Sequence, residues 1–260
     1  VNDEVMNVFD VTGFSEIMDI SRAVRQLSVE GCDRIGAGAC GEVFRLDDET
    51  IIKLYYPRVK KEEIEQEKAL AKKAFVMGVP TAISYDIVEA DGRTGVVYEL
   101  IKSKTIGELI RGDEGHLEED VDMYAAVCRQ IHGIEAEPGQ LPSFKDINRS
   151  DIPNVTGITE EERAYLHRFL DLIPDRMNCL HGDLNINNIM VQNGECCLID
   201  MGEFSTGTPM FDLSRILFSM ELAGAPRGEF NHFYKMPQDT VDRVLHLFFQ
   251  GIILQQPAIS

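Results

Sequence analysis

A chain of 260 residues can bury one large core or two modest lobes, and its 44% hydrophobic and 27% charged content is that of an ordinary globular protein. Its 25 Lys and Arg against 44 Asp and Glu leave a formal charge of −19, which repels a polyphosphate backbone, so no nucleic-acid partner is expected. No apolar run reaches the length of a membrane span and no basic-then-apolar leader is present, so no membrane partner is expected and a cytoplasmic location is.

Phe14 to Ser28 carries Ile17, Ile20, Val24 and Leu27 at helical spacing. Short apolar runs then predict strands over Cys32–Gly36, Gly41–Leu46 and Thr50–Tyr56, with Asp47-Asp48-Glu49 as a hairpin turn. Lys60 to Met77 reads as a long helix, apolar at Ile64, Leu70, Ala71, Ala74 and Phe75, stopped by Gly78 with Pro80 beyond. Thr81–Glu89 and Thr94–Ile101 form a second hairpin around Asp91-Gly92. Residues 1–101 are thus expected to form one lobe.

Residues 102–260 read as a second, mainly helical lobe. Glu118 to Ile134 is amphipathic through Val121, Tyr124, Ala125, Val127, Cys128 and Ile131, and Ala136–Gly157, rich in Pro, Ser, Asp and Asn, reads as a loop. Thr159 to Leu172 opens on a capping-box pattern. Ile189–Gln192 and Glu195–Ile199 are strands joined by Asn193-Gly194, the best short hairpin signal in the chain. Pro209–Leu222 and Asp239–Leu254 close the chain as helices. The class is α+β: an N-terminal antiparallel sheet with one long helix, then helices. The six cysteines form no C-x-x-C pair and several lie in apolar runs, as reduced, buried thiols do.

Gly36-Ala37-Gly38-Ala39-Cys40-Gly41-Glu42-Val43 matches G-x-G-x-x-G-x-V. Glycines let backbone N–H groups approach phosphate oxygens without a Cβ in the way. A dinucleotide fingerprint shares the pattern, but it opens a helix, whereas here strand, turn and strand follow, as in the glycine loop of kinases. Lys53 stands ten residues after Val43 in an apolar strand, where an ammonium needs a partner: nucleotide phosphates and an acidic residue of the next helix. Glu67 is the first choice of partner, with Glu63, one turn earlier on the same side, an alternative.

The most informative segment is His181-Gly182-Asp183-Leu184-Asn185-Ile186-Asn187-Asn188. A carboxylate followed five residues later by an amide, in a loop before a strand, puts both near one point. Asp183 can orient an attacking hydroxyl and Asn188 can offer a neutral oxygen to a divalent cation. Asp200, twelve residues beyond Asn188 in Leu198-Ile199-Asp200-Met201-Gly202, can bind the same cation, and Mg2+ suits carboxylate and amide oxygens completed by substrate phosphates.

In that order these motifs resemble the aminoglycoside phosphotransferase and choline kinase group of the protein-kinase-like superfamily, from about Ile35 to Ile216. His181-Gly182-Asp183 stands where protein kinases have His-Arg-Asp, and Asp200-Met201-Gly202 where they have Asp-Phe-Gly. The resemblance implies a two-lobed kinase-like fold and a phosphotransferase using Mg2+ and ATP or GTP. Asp183 would be catalytic, and Asn188 and Asp200 would hold the metal. Gly36, Gly38, Gly41, Val43, Lys53, Glu67, Glu99, Ile101 and Ile199 would bind the nucleotide, with Val97–Ile101 the hinge and Ile35 also packing on the base. Ile131-His132 and the Asp212 that opens a helix match the family as well, Asp212 bracing the catalytic loop. The acceptor would be the hydroxyl of a small molecule, cationic classes such as amino-alcohols and aminoglycosides included, with Asp146, Asp151 and Glu203 as candidate contacts. No A-P-E follows Asp200 and the segment to Asp212 is short, which counts against the alternative of a protein kinase. A catalytically idle nucleotide-binding scaffold is a further alternative. Sequence alone leaves oligomeric state open.

Overall fold

The structure is a computed structural model that describes residues 24–221 and 229–254. They fall into two compact units, one made of residues up to Glu65 with Ser84–Leu100, the other of Gln66–Ile83 with residues from Ile101 on.

The first unit is a six-stranded sheet of β1 (Arg25–Leu27), β2 (Arg34–Ala37), β3 (Gly41–Arg45), β4 (Thr50–Tyr55), β5 (Ser84–Ala90) and β6 (Arg93–Glu99), in the order β1-β5-β6-β4-β3-β2. All neighbours are antiparallel except β1 and β5. Side-chain alternation along β4 places Ile52 and Leu54 in one apolar cluster, with Val88, Ala90 and Val97, and Tyr55 in another with Ile64 and Val96. The hairpin turns follow from their residues. Asp47 Oδ1 accepts the N–H groups of Glu49 and Thr50, both at 2.8 Å, while Asp91 and Gly92 take φ of 48° and 76° as a tight hairpin needs.

One expectation fails here. Arg25–Leu27 lies in the stretch that helical spacing assigns to a helix, yet it is a strand; Phe14 to Ala23 lie outside the described residues. The open edge of β5 decides it. Gln26 bonds Glu89 at 2.8 Å, and Asp91 receives Ser28 Oγ and the Val29 N–H, both at 3.0 Å. Edge pairing outweighs local periodicity.

Helix α1 (Lys61–Val76) ends at Gly78, which takes φ of 84°. The second unit continues with β7 (Lys104–Thr105), α2 (Ile106–Gly112), α3 (Leu117–His132), α4 (Phe144–Asp151), α5 (Glu160–Leu172), β8 (Cys179–Leu180), β9 (Ile189–Gln192), β10 (Glu195–Leu198), β11 (Ser205–Thr206), α6 (Met210–Glu221), β12 (Phe230–Asn231), β13 (Met236–Pro237) and α7 (Gln238–Leu254). Small sheets β10-β9-β7 and β11-β8 frame its loops. Its core gathers the apolar faces of α2, α3, α6 and α7, with Tyr124 against Phe248 at 4.3 Å between ring centroids.

Ala136–Gly157 is only partly a loop, because α4 forms within it. Ser143 caps α4 by accepting the Asp146 N–H at 3.2 Å, and Phe144 packs on Phe211. Of the six cysteines, all free thiols, Cys128 and Cys179 are buried, Cys40 is exposed and the rest are half-buried, so the expectation of buried thiols holds for two. Burial raises the Cys179 thiol to about 11. Among the described residues no helix is long and apolar enough to cross a membrane.

Candidate active site

Within the second unit, the segments around Asp183 and Asp200 are stitched together by backbone and imidazole. Ile199 N–H donates to the Asn188 carbonyl at 3.0 Å. His181, fully buried, lies 3.0 Å from the Ile199 carbonyl through Nε2 and 3.2 Å from the Asp183 N–H through Nδ1. A carbonyl can only accept and an N–H can only donate, so this pattern requires the neutral Nε2–H tautomer.

Asn188 donates Nδ2 to Asp183 Oδ2 at 2.9 Å and to the Asp183 carbonyl at 2.9 Å. With its nitrogen committed, the amide oxygen is left to accept or to ligate, and Asp183 Oδ1 receives no hydrogen bond from the described residues. Both are the groups expected to meet a cation and an acceptor hydroxyl.

Asp200 follows β10 with φ 64° and ψ 57°, a left-handed conformation sparsely used by non-glycine residues. The residues after α1 fix the strand before it: Leu198 N–H donates to the Pro80 carbonyl at 2.6 Å, and Thr81 Oγ1 to the Leu198 carbonyl at 2.9 Å. Glu67 reaches the same turn, since a Cβ on Gly202 would lie 3.3 Å from Glu67 Cγ. Glu63, by contrast, is exposed at the start of α1 and 3.4 Å from the Lys60 N–H.

Asp212 carries the Asp183 loop from behind. It is 1% exposed; Oδ1 accepts the Gly182 N–H at 2.8 Å, and Oδ2 accepts the His181 N–H at 3.0 Å and contacts His132 Nε2 at 2.9 Å. Burial alone pushes its pKa up, but the His132 hydrogen bond and charge, with the Gly182 amide, bring it below the ordinary carboxylate value. Gly182 itself takes φ of 85°, and a Cβ there would meet Glu203 Cβ at 2.5 Å. Glycine is required on both counts.

Sequence reading missed several supports of this loop. Gly107 of α2 donates its N–H to the Ile186 carbonyl at 2.9 Å, Arg111 donates to Asn187 Oδ1 at 3.3 Å and to the Tyr234 carbonyl at 3.0 Å, and Tyr124 donates its hydroxyl to the Leu184 carbonyl at 2.7 Å. The Thr105–Glu108 capping box that starts α2 was a readable signal. Burial first, and the negative charge of Asp183 in addition, raise the Tyr234 phenol to about 12 despite its hydrogen bond with Ser219. Of the candidate acceptor contacts, Glu203 is bound by Arg215, while Asp146 and Asp151 are exposed on α4. Among the described residues no group of three or more His, Cys, Asp or Glu could hold a metal by itself.

In the first unit, Gly36 lies in β2 opposite Val43, whose Cβ would lie 3.6 Å from one added to the glycine. Gly38 donates its N–H to the Gly41 carbonyl at 2.9 Å, and a Cβ on Gly41 would strike the Leu54 carbonyl oxygen at 2.5 Å. Lys53, half-buried in β4 opposite Val43 and Val96, has Nζ 5.3 Å from the centre of the Tyr55 ring. Ile35 is 52% exposed. Glu99 ends β6 opposite Thr50. In the second unit the Ile101 carbonyl accepts the Ser103 N–H at 2.9 Å, and Ile199 is half-buried.

A comparison with curated proteins gave no match. Solved structures do resemble the chain. An aminoglycoside-3'-phosphotransferase of type VIII is 17% identical, with 88% of this chain and 89% of that one covered at a TM-score of 0.56. The aminoglycoside phosphotransferase APH(3'')-Id from Streptomyces rimosus, in complex with ADP and streptomycin, is 16% identical, covering 84% and 85% at 0.54. The gentamicin complex of APH(2")-IIa is 14% identical, covering 96% and 82% at 0.54. At these identities the likeness establishes the α+β, kinase-like fold. A model of the phosphotransferase enzyme family matches residues 31–246, a span that holds the glycine loop, Lys53, the Asp183 loop, Asp200 and Asp212 alike. The chain therefore belongs to the phosphotransferase enzyme family, within the aminoglycoside phosphotransferase and choline kinase group.

Proposed function

We propose that the protein transfers the γ-phosphate of ATP or GTP to a hydroxyl of a small molecule. The observation that carries this reading is the Asn188–Asp183 hydrogen bond, which directs the amide nitrogen to the carboxylate and keeps an oxygen on each residue for other work. Asp183 Oδ1 accepts the hydrogen bond of the acceptor hydroxyl and aligns its oxygen for in-line attack. The neutral oxygen of Asn188 and the carboxylate of Asp200 fit Mg2+, a donor set too small to hold a metal without substrate phosphates. When bound, Mg2+ neutralises charge on the phosphates. In this reading Lys53, oriented by Glu67, and the loop of Gly36, Gly38 and Gly41, where no Cβ blocks the approach to the backbone, receive the donor's phosphates. Val43 and Ile199 pack on its base, and the backbone at Glu99 and Ile101 receives the base edge. Relatives crystallised with streptomycin and gentamicin support an acceptor of amino-sugar or amino-alcohol type.

Screening metabolites and antibiotics for Mg2+-dependent phosphorylation tests this. At least one hydroxyl compound should gain phosphate, and a screen in which ATP and GTP donate only to water or to nothing would contradict it. Asp200→Ala should abolish Mg2+-dependent nucleotide binding in calorimetry with and without the metal.

A further inference from the structure

The tip of the glycine loop has nothing apolar to hold it. Ala37, Gly38, Ala39 and Cys40 are all exposed, so burial cannot fix the path of the backbone there. Besides the Gly38–Gly41 hydrogen bond within the loop, what holds it comes from the segment just after β4. Tyr56 donates its N–H to the Cys40 carbonyl at 2.9 Å, and Arg58 Nη2 donates to the Ala39 carbonyl. The Arg58 guanidinium lies over the Tyr56 ring, 4.8 Å from its centroid. Arg93 lies 5.7 Å from the same ring and is itself fixed by Glu42 at 2.9 Å, the Leu54 carbonyl at 2.8 Å and the Tyr55 carbonyl at 3.2 Å. Two guanidinium groups and one ring thus connect both sides of the loop, Ala39 before Gly41 and Glu42 after it.

A loop that binds phosphate through backbone N–H groups works only if those groups already point the right way, because an unfixed loop loses conformational entropy when the ligand orders it. Arg58 is exposed, so burial does not explain it. We propose that Arg58 is a positioning residue for the phosphate loop, held in place by the face of Tyr56 and holding the Ala39–Cys40 tip through the Ala39 carbonyl. This rests on the reading of the loop as a nucleotide site.

Calorimetry on the full chain, titrating Mg-ATP, Mg-GTP and adenosine, tests it with Arg58→Ala, Tyr56→Leu and Tyr56→Phe. Arg58→Ala and Tyr56→Leu should each weaken the triphosphate about three- to tenfold, the size of one hydrogen bond, and leave adenosine affinity and Tm unchanged. Tyr56→Phe keeps the ring face and should bind as wild type. Wild-type triphosphate affinity in Arg58→Ala overturns the positioning role while leaving the nucleotide site intact. Equal losses for triphosphate and adenosine overturn it too, since they mark general damage to the sheet. A wild-type chain that binds neither triphosphate overturns both readings.

Discussion

Asp212 shows how one buried carboxylate organises a loop it does not belong to. It satisfies two backbone N–H groups of the His181–Asp183 turn and one imidazole, and an asparagine in its place would turn an N–H donor toward one of these partners. Asp212→Asn should therefore destabilise the chain by about 3 kcal/mol, measured by denaturant unfolding. The pH dependence has a definite sign. A carboxylate whose pKa is lower folded than unfolded contributes stability that is complete above the unfolded value and is lost as pH falls through the folded one. The wild-type chain should lose stability on acidification below about pH 4, and Asp212→Asn should show a flatter acid limb. Gly182→Ala should cost about 1–2 kcal/mol for the left-handed backbone alone, plus the clash with Glu203.

Among the elements, α2 matters most for its size. Its seven residues are too few to show a period, and its capping box went unread, yet it carries Gly107 and Arg111 to the Asp183 loop. A Cβ at position 107 would lie 2.4 Å from Asn187 Oδ1, so Gly107→Ala should lower kcat more than it weakens Mg-ATP binding, a split seen by comparing steady-state rates with calorimetry. The same contrast explains what the sequence could disclose. Strands and helices with turn chemistry at their ends, such as the Asn193-Gly194 hairpin and α5 behind its Thr159 cap, are readable because local residues decide them. Strand β1 is decided by a partner distant in the chain, the edge of β5, and helix α4, though locally capped by Ser143, is anchored by the distant ring of Phe211. The Asp183, Asn188 and Asp200 motif was legible as spacing. The bond that orients Asn188, the role of His181 between two segments and the Arg58 clamp depend on three-dimensional neighbours, and no spacing reveals them.

For the whole molecule, the charge of −19 sets a field that a cationic acceptor would feel and a neutral one would not. For a cationic acceptor, kcat/KM should fall severalfold as salt rises, and for a neutral sugar it should hold steady. In the proposed chemistry one carboxylate, that of Asp183, orients the attacking oxygen, a reading that family membership, the kinase-like fold and the Asp183–Asn188 pair support. Steady-state phosphorylation of an identified acceptor by wild type and Asp183→Asn, with nucleotide affinity measured in parallel, examines that chemistry most directly. The expected result is a kcat lowered about 10²–10⁴-fold with Mg-nucleotide affinity nearly unchanged. Turnover at the wild-type rate would contradict it.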